Sequence, residues 1–325
     1  MTGRICVLCG GVGAARMLRA LVRVIDPAHI DAVVNTGDDT VMHGLHISPD
    51  IDTVIYTVAD AIDPDRGWGL VDETWRAVDA LGRYEPMRPA GSTAGATWFG
   101  LGDADLATHL YRTGRLAEGA RLTTVTDEIR RAWGVGVTVL PMSDEPAPTE
   151  VTLGGNHAGE RIAFQDYFVR LRHAVPVAQV HLGATAVATT PEVCRAIDTA
   201  DLVIIAPSNP MVSIGPVMAT SGIRERLEQR RDTVVAVSPL IGGAALKGPA
   251  ADMMRDAGHR SDAVGVATMY APFAATLVID TVDAALADQV DGAGCRPVVT
   301  DTVMASPEVA ASLARTCLEV GRRSG

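Results

Sequence analysis

Five residues of mostly apolar character, Ile5 to Cys9, run directly into Gly10-Gly-Val-Gly13, and helical spacing of Met17, Leu18, Leu21 and Val22 follows. Strand, glycine turn and helix in that order admit few folds. The order opens a doubly wound α/β (Rossmann-like) fold, a mainly parallel sheet covered by helices. A turn of this kind points backbone N–H groups outward at a helix N-terminus. Gly11 and Gly13 are therefore candidates for holding an anion such as a nucleotide phosphate, with a plain tight turn as the alternative. The dinucleotide fingerprint is incomplete, because Arg16 stands where its third glycine belongs, and no Lys-Ser/Thr pair follows.

The same design recurs along the chain. Asp31 to Asn35, Gly136 to Leu140, Asp201 to Ala206, Thr233 to Val237, Ala263 to Val266 and Thr276 to Ile279 read as strands. The run from Asp201 is the clearest buried parallel one. Val151 to Leu153 and Arg161 to Phe168 read as two more, joined by a glycine-rich turn, and Ser306 to Arg322 as a terminal helix. Between about residues 60 and 135, helical patterns (Leu70 to Leu81, Leu106 to Thr113, Leu116 to Trp133) alternate with polar turns. The pattern predicts a helical insertion within a single domain spanning residues 1–325.

The second strand runs into Asn35-Thr-Gly-Asp-Asp-Thr, and Ser48-Pro-Asp-Ile-Asp-Thr follows. Four carboxylates, Asp38, Asp39, Asp50 and Asp52, crowd a strand end. That is costly unless a cation or a hydrogen-bond donor answers the charge. Ligands of open α/β sheets sit beyond the carboxyl ends of strands, so the stretch predicts a metal-assisted transfer centre; turn caps are the alternative for Asp38 and Asp39. Pro49 to Asp52 reads as a loop, and Thr53 to Val58 as either strand or helix. Two later strands end in small and hydroxyl-bearing residues: Ser208, Asn209, Ser213 and Gly215 after one, Gly242, Gly243 and Lys247 after the other. Paired glycines with a lysine suit a phosphate. Arg88, in a Pro/Gly-rich loop from Tyr84 to Thr93, and Trp98 suit a flat anionic or aromatic substrate, against a solvated arginine and a core tryptophan.

A net charge of −11 disfavours general binding to nucleic acid or an anionic membrane. No signal pattern precedes the first strand, and no apolar run reaches the ~18–20 residues of a membrane span, so a cytoplasmic protein is expected. The five cysteines are scattered, against a disulfide framework. Cys6 and Cys9, three apart on a strand, point to opposite faces and read as inert buried thiols.

The ordered set Gly10-Gly-Val-Gly, Asn35-Thr-Gly-Asp-Asp, Ser48-Pro-Asp-Ile-Asp-Thr-Val, Trp98-Phe-Gly-Leu-Gly-Asp-Ala-Asp-Leu-Ala-Thr-His109, Leu140-Pro-Met-Ser-Asp, Ala206-Pro-Ser-Asn-Pro with Ser213-Ile-Gly-Pro, and Ser238-Pro-Leu-Ile-Gly-Gly with Lys247-Gly-Pro-Ala carries a specific likeness. Over nearly its whole length the chain resembles the 2-phospho-L-lactate transferases of deazaflavin-coenzyme (coenzyme F420) biosynthesis.

The resemblance implies a reaction. A guanosine-diphospho-linked three-carbon acid gives its phospho-acyl unit to the ribityl hydroxyl of 7,8-didemethyl-8-hydroxy-5-deazariboflavin (Fo), and GMP leaves. It implies Mg²⁺ and a homodimer. It makes Asp38 and Asp50 the metal ligands, with Asp39 as substitute, one of these carboxylates orienting or deprotonating the hydroxyl. It puts Asp50 and Arg88 on Fo, Ser208, Asn209, Ser213 and Gly215 on the guanosine nucleotide, and Gly242, Gly243 and Lys247 on its phosphates. Asp52 is then the cap of the next element. The segment around Arg88 is longer and richer in Pro and Gly than in archaeal members. The Ala-, Arg- and Val-rich composition suggests a high-GC actinobacterial source, whose family members take phosphoenolpyruvate in place of lactate. Two rivals are a non-catalytic nucleotide-sugar-binding regulator of a sister family and an NAD-dependent oxidoreductase.

Overall fold

Runs of apolar residues too short for a helix and buried on both sides need a sheet covered on both faces. The computed structural model describes residues 3–90, 92 and 94–322. Among these, seven parallel strands form the central sheet: β1 (Ile5–Cys9), β2 (Ile30–Val34), β3 (Thr138–Pro141), β4 (Leu202–Ile205), β5 (Val234–Val237), β6 (Thr276–Ile279) and β7 (Arg296–Val299). Their lateral order is β7-β6-β5-β4-β1-β2-β3, and every neighbouring pair is parallel. The doubly wound fold expected from the opening residues is the fold found.

Alternation along β1 feeds two cores. Cys6 and Leu8 enter one with Val203, Ile205 and Leu277, and Ile5, Val7 and Cys9 enter the other with Ile204 and Val278. The two thiols thus lie on opposite faces, and burial pushes both above the ordinary cysteine range. Three helices matter below: α1 (Gly11–Leu21), α2 (Pro49–Val58) and α3 (Asp105–Ala117). Among the described residues, no helix is long and apolar enough to cross a membrane.

Several local expectations give way. Pro49 to Asp52 is no loop but the first turn of α2, with Pro at its first position, and Thr53 to Val58 completes that helix. Between Asp39 and Ser48 a short hairpin intervenes, Thr40–Met42 paired with Leu45–Ile47. Ala263 to Val266 belongs to a helix, Ala263–Tyr270, started by the Asp262 carboxylate accepting the Gly265 N–H at 2.9 Å. A short apolar run buried all round reads alike as strand or helix. Edge strand β7 was hidden by Pro297 and half-exposed side chains. Only Arg76–Leu81 of the 70–81 stretch is helical.

Arg161 to Phe168 is strand only as far as Ala163, and the segment Asp166–Arg170 is a π-helical turn. With Thr149–Leu153 and Val177–Leu182, Arg161–Ala163 makes a separate three-stranded antiparallel sheet. Of the Pro/Gly-rich loop expected from 84 to 93, Gly91 and Thr93 lie outside the described residues.

Candidate active site

The strand order turns about between β1 and β4: the chain winds from β1 through β2 to β3 on one side and from β4 to β7 on the other. Loops leaving the carboxyl ends of β1 and β4 therefore part at this point and leave a crevice, the usual ligand site of such sheets. Here the two loops are locked together. The Ser208 hydroxyl donates to the Gly10 carbonyl at 2.8 Å. A Cβ on Gly13 would stand 2.3 Å from the Pro207 carbonyl oxygen, and one on Gly10 would stand 2.6 Å from Ser213 Cβ. Gly10 and Gly13 are thus required by the close approach of the β4 loop. The Gly11 N–H, a candidate anion donor, is turned onto a protein carboxylate, Asp50 Oδ1, at 2.7 Å.

Next to that lock, β2 delivers Asn35, whose N–H bonds the Cys9 carbonyl at 2.9 Å. Its side-chain oxygen accepts the Gly37 N–H at 2.8 Å. Its amide nitrogen donates to Asp38 Oδ1 and, at 2.9 Å, to Asp50 Oδ2. The two carboxylates singled out as metal ligands thus share one amide. Asp50 is 6 % exposed and sits in the first turn of α2, where the helix dipole favours negative charge. Asp39 accepts from the Ser48 hydroxyl at 2.7 Å through one oxygen, while its other oxygen is buried without a partner.

Burial pushes the Asp50 carboxyl up to about 6, against the pull of Asn35 and the Gly11 N–H. Burial, then the neighbouring Asp50 and Asp39 charges, push Asp38 well above the carboxylate range. Asp39 is raised by burial as well, with Ser48 and Arg112 opposing. Asp38, Asp39 and Asp50 thus offer carboxylate oxygens, one of them orphaned, which is the donor chemistry a hard cation such as Mg²⁺ takes.

Asp52 is not a cap. Ser48 holds the cap position of α2, and Asp52, one turn in, is bonded through both oxygens to the guanidinium of Arg112, which has no exposure at all. Sequence reasoning missed Asn35 as the bridge, and it missed Asp105, His109 and Arg112. Their signal is present: the three lie at i, i+4 and i+7, one face of α3.

The later candidates are distributed around the crevice. Asn209 shapes its own turn, its side chain accepting the Met211 N–H at 2.9 Å and its carbonyl accepting from Ser213 and Ile214. Ser213 is half-buried beside Gly10, and Gly215 packs at the Pro210 carbonyl. Gly242 and Gly243 form the turn of a small hairpin, both with positive φ (58° and 77°), as a two-residue turn of this kind demands. The Gly242 N–H is engaged by the Asp283 carboxylate at 3.1 Å.

Lys247 is the only lysine in the chain and is exposed. Its Nζ lies 3.5 Å from where a Cβ on Gly67 would stand, beside the Val12 side chain, and so over the start of α1. The next residue of that loop, Trp68, is 43 % exposed, and Arg66 lies over the rings of both Trp68 and Trp75 at 5.5 and 5.3 Å.

The described contacts of Arg88 and Trp98 are local: a 3.5 Å ion pair with Glu85 and an edge-on contact with Phe99 at 5.8 Å. A cavity of about 320 Å³ is lined by His43 and Leu45 of the Thr40–Ile47 hairpin and by Val78, Leu81, Tyr84 and Leu106 among others.

Comparison with known proteins bears on this geometry. The sequence pattern of the family described as 2-phospho-L-lactate transferase CofD matches residues 5–317. The chain is 39 % identical over 319 residues to a phosphoenolpyruvate transferase of Streptomyces griseus, covering 98 % of each chain. It is 40 % identical over 317 residues to one of Streptomyces avermitilis (97 % of each), and 38 % identical over 329 residues to one of Mycolicibacterium smegmatis (98 % of each). Among solved structures, a UPF0052-family protein of Bacillus halodurans aligns with a TM-score of 0.61 at 17 % identity, covering 98 % of this chain and 99 % of that one. This likeness speaks to the fold.

Proposed function

This chain belongs to the 2-phospho-L-lactate transferase CofD family, and on that premise we propose that it transfers a phosphoenolpyruvyl (or 2-phospho-L-lactyl) group from a guanosine-diphospho donor to the ribityl hydroxyl of Fo, releasing GMP. The names of its relatives favour the phosphoenolpyruvyl donor. The observation that carries the reading is Asn35 gathering Asp38 and Asp50 at the turnabout of the sheet, with Asp39 beside them.

In the proposed reaction the Fo hydroxyl oxygen attacks the phosphorus that bears the three-carbon acid. A new P–O bond forms, the P–O bond to GMP breaks, and the hydroxyl proton passes to a carboxylate. Mg²⁺, when bound at Asp38 and Asp50, would neutralise the diphosphate. Asp50 is the carboxylate that orients the hydroxyl or takes its proton, and the Gly11 N–H and Asn35 fix its own orientation. Lys247 supplies a mobile cation for the donor's phosphates over the start of α1, with the Gly242–Gly243 turn, Gly11 and Gly13 forming the nearby backbone. Ser208, Asn209, Ser213 and Gly215 line the nucleotide side. The apolar cavity offers room for the flat ring of Fo, and Arg88 and Trp98 are the side chains assigned to hold it. The same reading makes the protein a cytoplasmic homodimer.

The test is direct. Protein, Mg²⁺, Fo and either guanosine-diphospho-phosphoenolpyruvate or the lactate donor are incubated, and GMP and a phospho-acylated deazaflavin are sought by mass. Both products with the phosphoenolpyruvate donor are expected. No product with either donor, together with tight binding of a UDP-sugar, would turn the assignment to the regulator. Asp50→Ala should abolish turnover with an unchanged circular dichroism spectrum; wild-type rates would remove Asp50 from the mechanism.

A further inference from the structure

Behind the acidic centre, three buried side chains have the spacing of a metal cluster. An oxygen of Asp52, an oxygen of Asp105 and a ring nitrogen of His109 lie within 4.8 Å of one another. The cluster already holds a cation of its own. The Arg112 fork bonds both oxygens of Asp52, one of these contacts at 3.1 Å, and Nη1 also lies 3.3 Å from His109 Nδ1. Asp105 is held by the Tyr56 hydroxyl at 2.7 Å and faces His109 Nε2 at 3.3 Å. Burial works against the charge on Arg112, but Asp52, then Asp39 and Tyr56 behind it, together outweigh burial and raise the guanidinium further. A guanidinium of this kind keeps its proton under all working conditions and, unlike an ion, cannot dissociate.

Two consequences reach the cleft. With both oxygens taken, Asp52 is withdrawn from Asp50, the other carboxylate of α2. Arg112 Nη1 also reaches the His46 carbonyl at 3.4 Å, while the His46 N–H donates to Thr113 Oγ1 at 2.8 Å. Helix α3 thereby grips the strand that leads to Ser48, whose hydroxyl holds Asp39.

We propose that Arg112 is a positioning residue, a built-in cation standing in the place of a second metal ion, which takes Asp52 out of the acidic centre and leaves Asp38, Asp39 and Asp50 to face the ligand. That these three then hold an ion rests on the function proposed above; the replacement of an ion by Arg112 does not.

Equilibrium dialysis of the full chain against Mn²⁺ tests it, with bound metal counted for wild type, Arg112→Ala, Arg112→Lys and the double variant Arg112→Ala/His109→Ala. Arg112→Ala should bind one more Mn²⁺ per chain than wild type. Lysine should restore the wild-type count, because it returns the charge, and removing His109 should abolish the extra ion. A purely structural arginine would not change the count, so equal numbers in wild type and Arg112→Ala overturn the proposal.

Should Arg112→Ala not fold in metal-free buffer, Mn²⁺ should restore a cooperative thermal transition to it and not to the double variant; no recovery likewise overturns the proposal. A wild type that binds none beside an Arg112→Ala that binds one would leave this proposal standing and sink the metal reading of Asp38 and Asp50.

Discussion

Asn35 has one amide nitrogen with two hydrogens, and it directs them to two carboxylates, Asp38 and Asp50. Its oxygen is fixed in turn by the Gly37 N–H. Asn35→Ala leaves both acids in place but without their shared donor, so each becomes harder to ionise and freer to turn. A loss of about 10–100-fold in kcat/KM and in Mn²⁺ affinity is expected, the usual cost of removing a residue that orients a ligand set. Steady-state rates and a metal titration of the variant measure it.

Glycines carry the opposite lesson at this scale. Gly13→Ala drives a Cβ to 2.3 Å from the Pro207 carbonyl oxygen, and backbone on both sides has little room to yield. It should destabilise the fold by about 1–3 kcal/mol. Gly114→Ala, inside α3 with nothing within 4 Å, should stabilise by about 0.5–1 kcal/mol. Urea denaturation of both reads the contrast. A glycine after a strand announces that something approaches closely. The sequence does not say whether that is a phosphate or, as here, a loop from far along the chain.

Helices α2 and α3 meet through polar rather than apolar faces. Tyr56 of α2 bonds Asp105 and Thr108 of α3, both at 2.7 Å, and Asp52 bonds Arg112. Burial pushes the Asp105 carboxyl up, but His109, Tyr56 and Arg112 together hold it below the ordinary range. Tyr56→Phe strands two buried groups at once and should cost about 1–3 kcal/mol, read from the shift of a denaturation midpoint.

This pairing explains what was hidden at the level of elements. Helix α3 was legible from its apolar spacing. Charges at i, i+4 and i+7 on a helix read as its wet face, and only the partner helix turns them inward. Helix α2 carried a proper start, Pro49 followed by Asp50 and Asp52, yet its β-branched run from Thr53 left strand and helix equally open. The parallel strands β1 to β6 were legible because burial on both faces writes itself as an apolar run, which the half-exposed edge strand β7 lacks. The hairpin from Thr40 to Ile47 writes no such pattern, since its strands are three residues long and half-exposed.

Over the whole molecule, an acidic chain of net charge −11 gathers three of its carboxyls in one buried place and leaves them raised. The sign of the pH dependence follows. Asp50 stands at about 6 in the folded chain against an ordinary 3.8, so between those values the folded chain holds a proton that the unfolded chain has released. Stability from this group therefore falls as pH rises through that window, and the full cost remains above it. Asp38 and Asp39, shifted the same way by burial, add to the fall.

Glu192 acts oppositely. Arg121 lowers it to about 2 from 4.5, so its stabilisation is present above 4.5 and is lost only as pH drops through that lower range. The two windows scarcely overlap, which makes the acidic centre separable by pH. A divalent cation that binds the ionised carboxylates of the folded chain alone reverses their cost. Millimolar Mg²⁺ should therefore raise the Tm clearly at about pH 8 and little at about pH 5, where protons compete for the same oxygens. Asp50→Asn removes one of the charges. In metal-free buffer at about pH 8 it should melt above wild type, and it should lose most of the response to Mg²⁺. Thermal melts of both proteins at the two pH values, with and without the ion, decide it: an equal Mg²⁺ response in the two proteins would place the ion elsewhere.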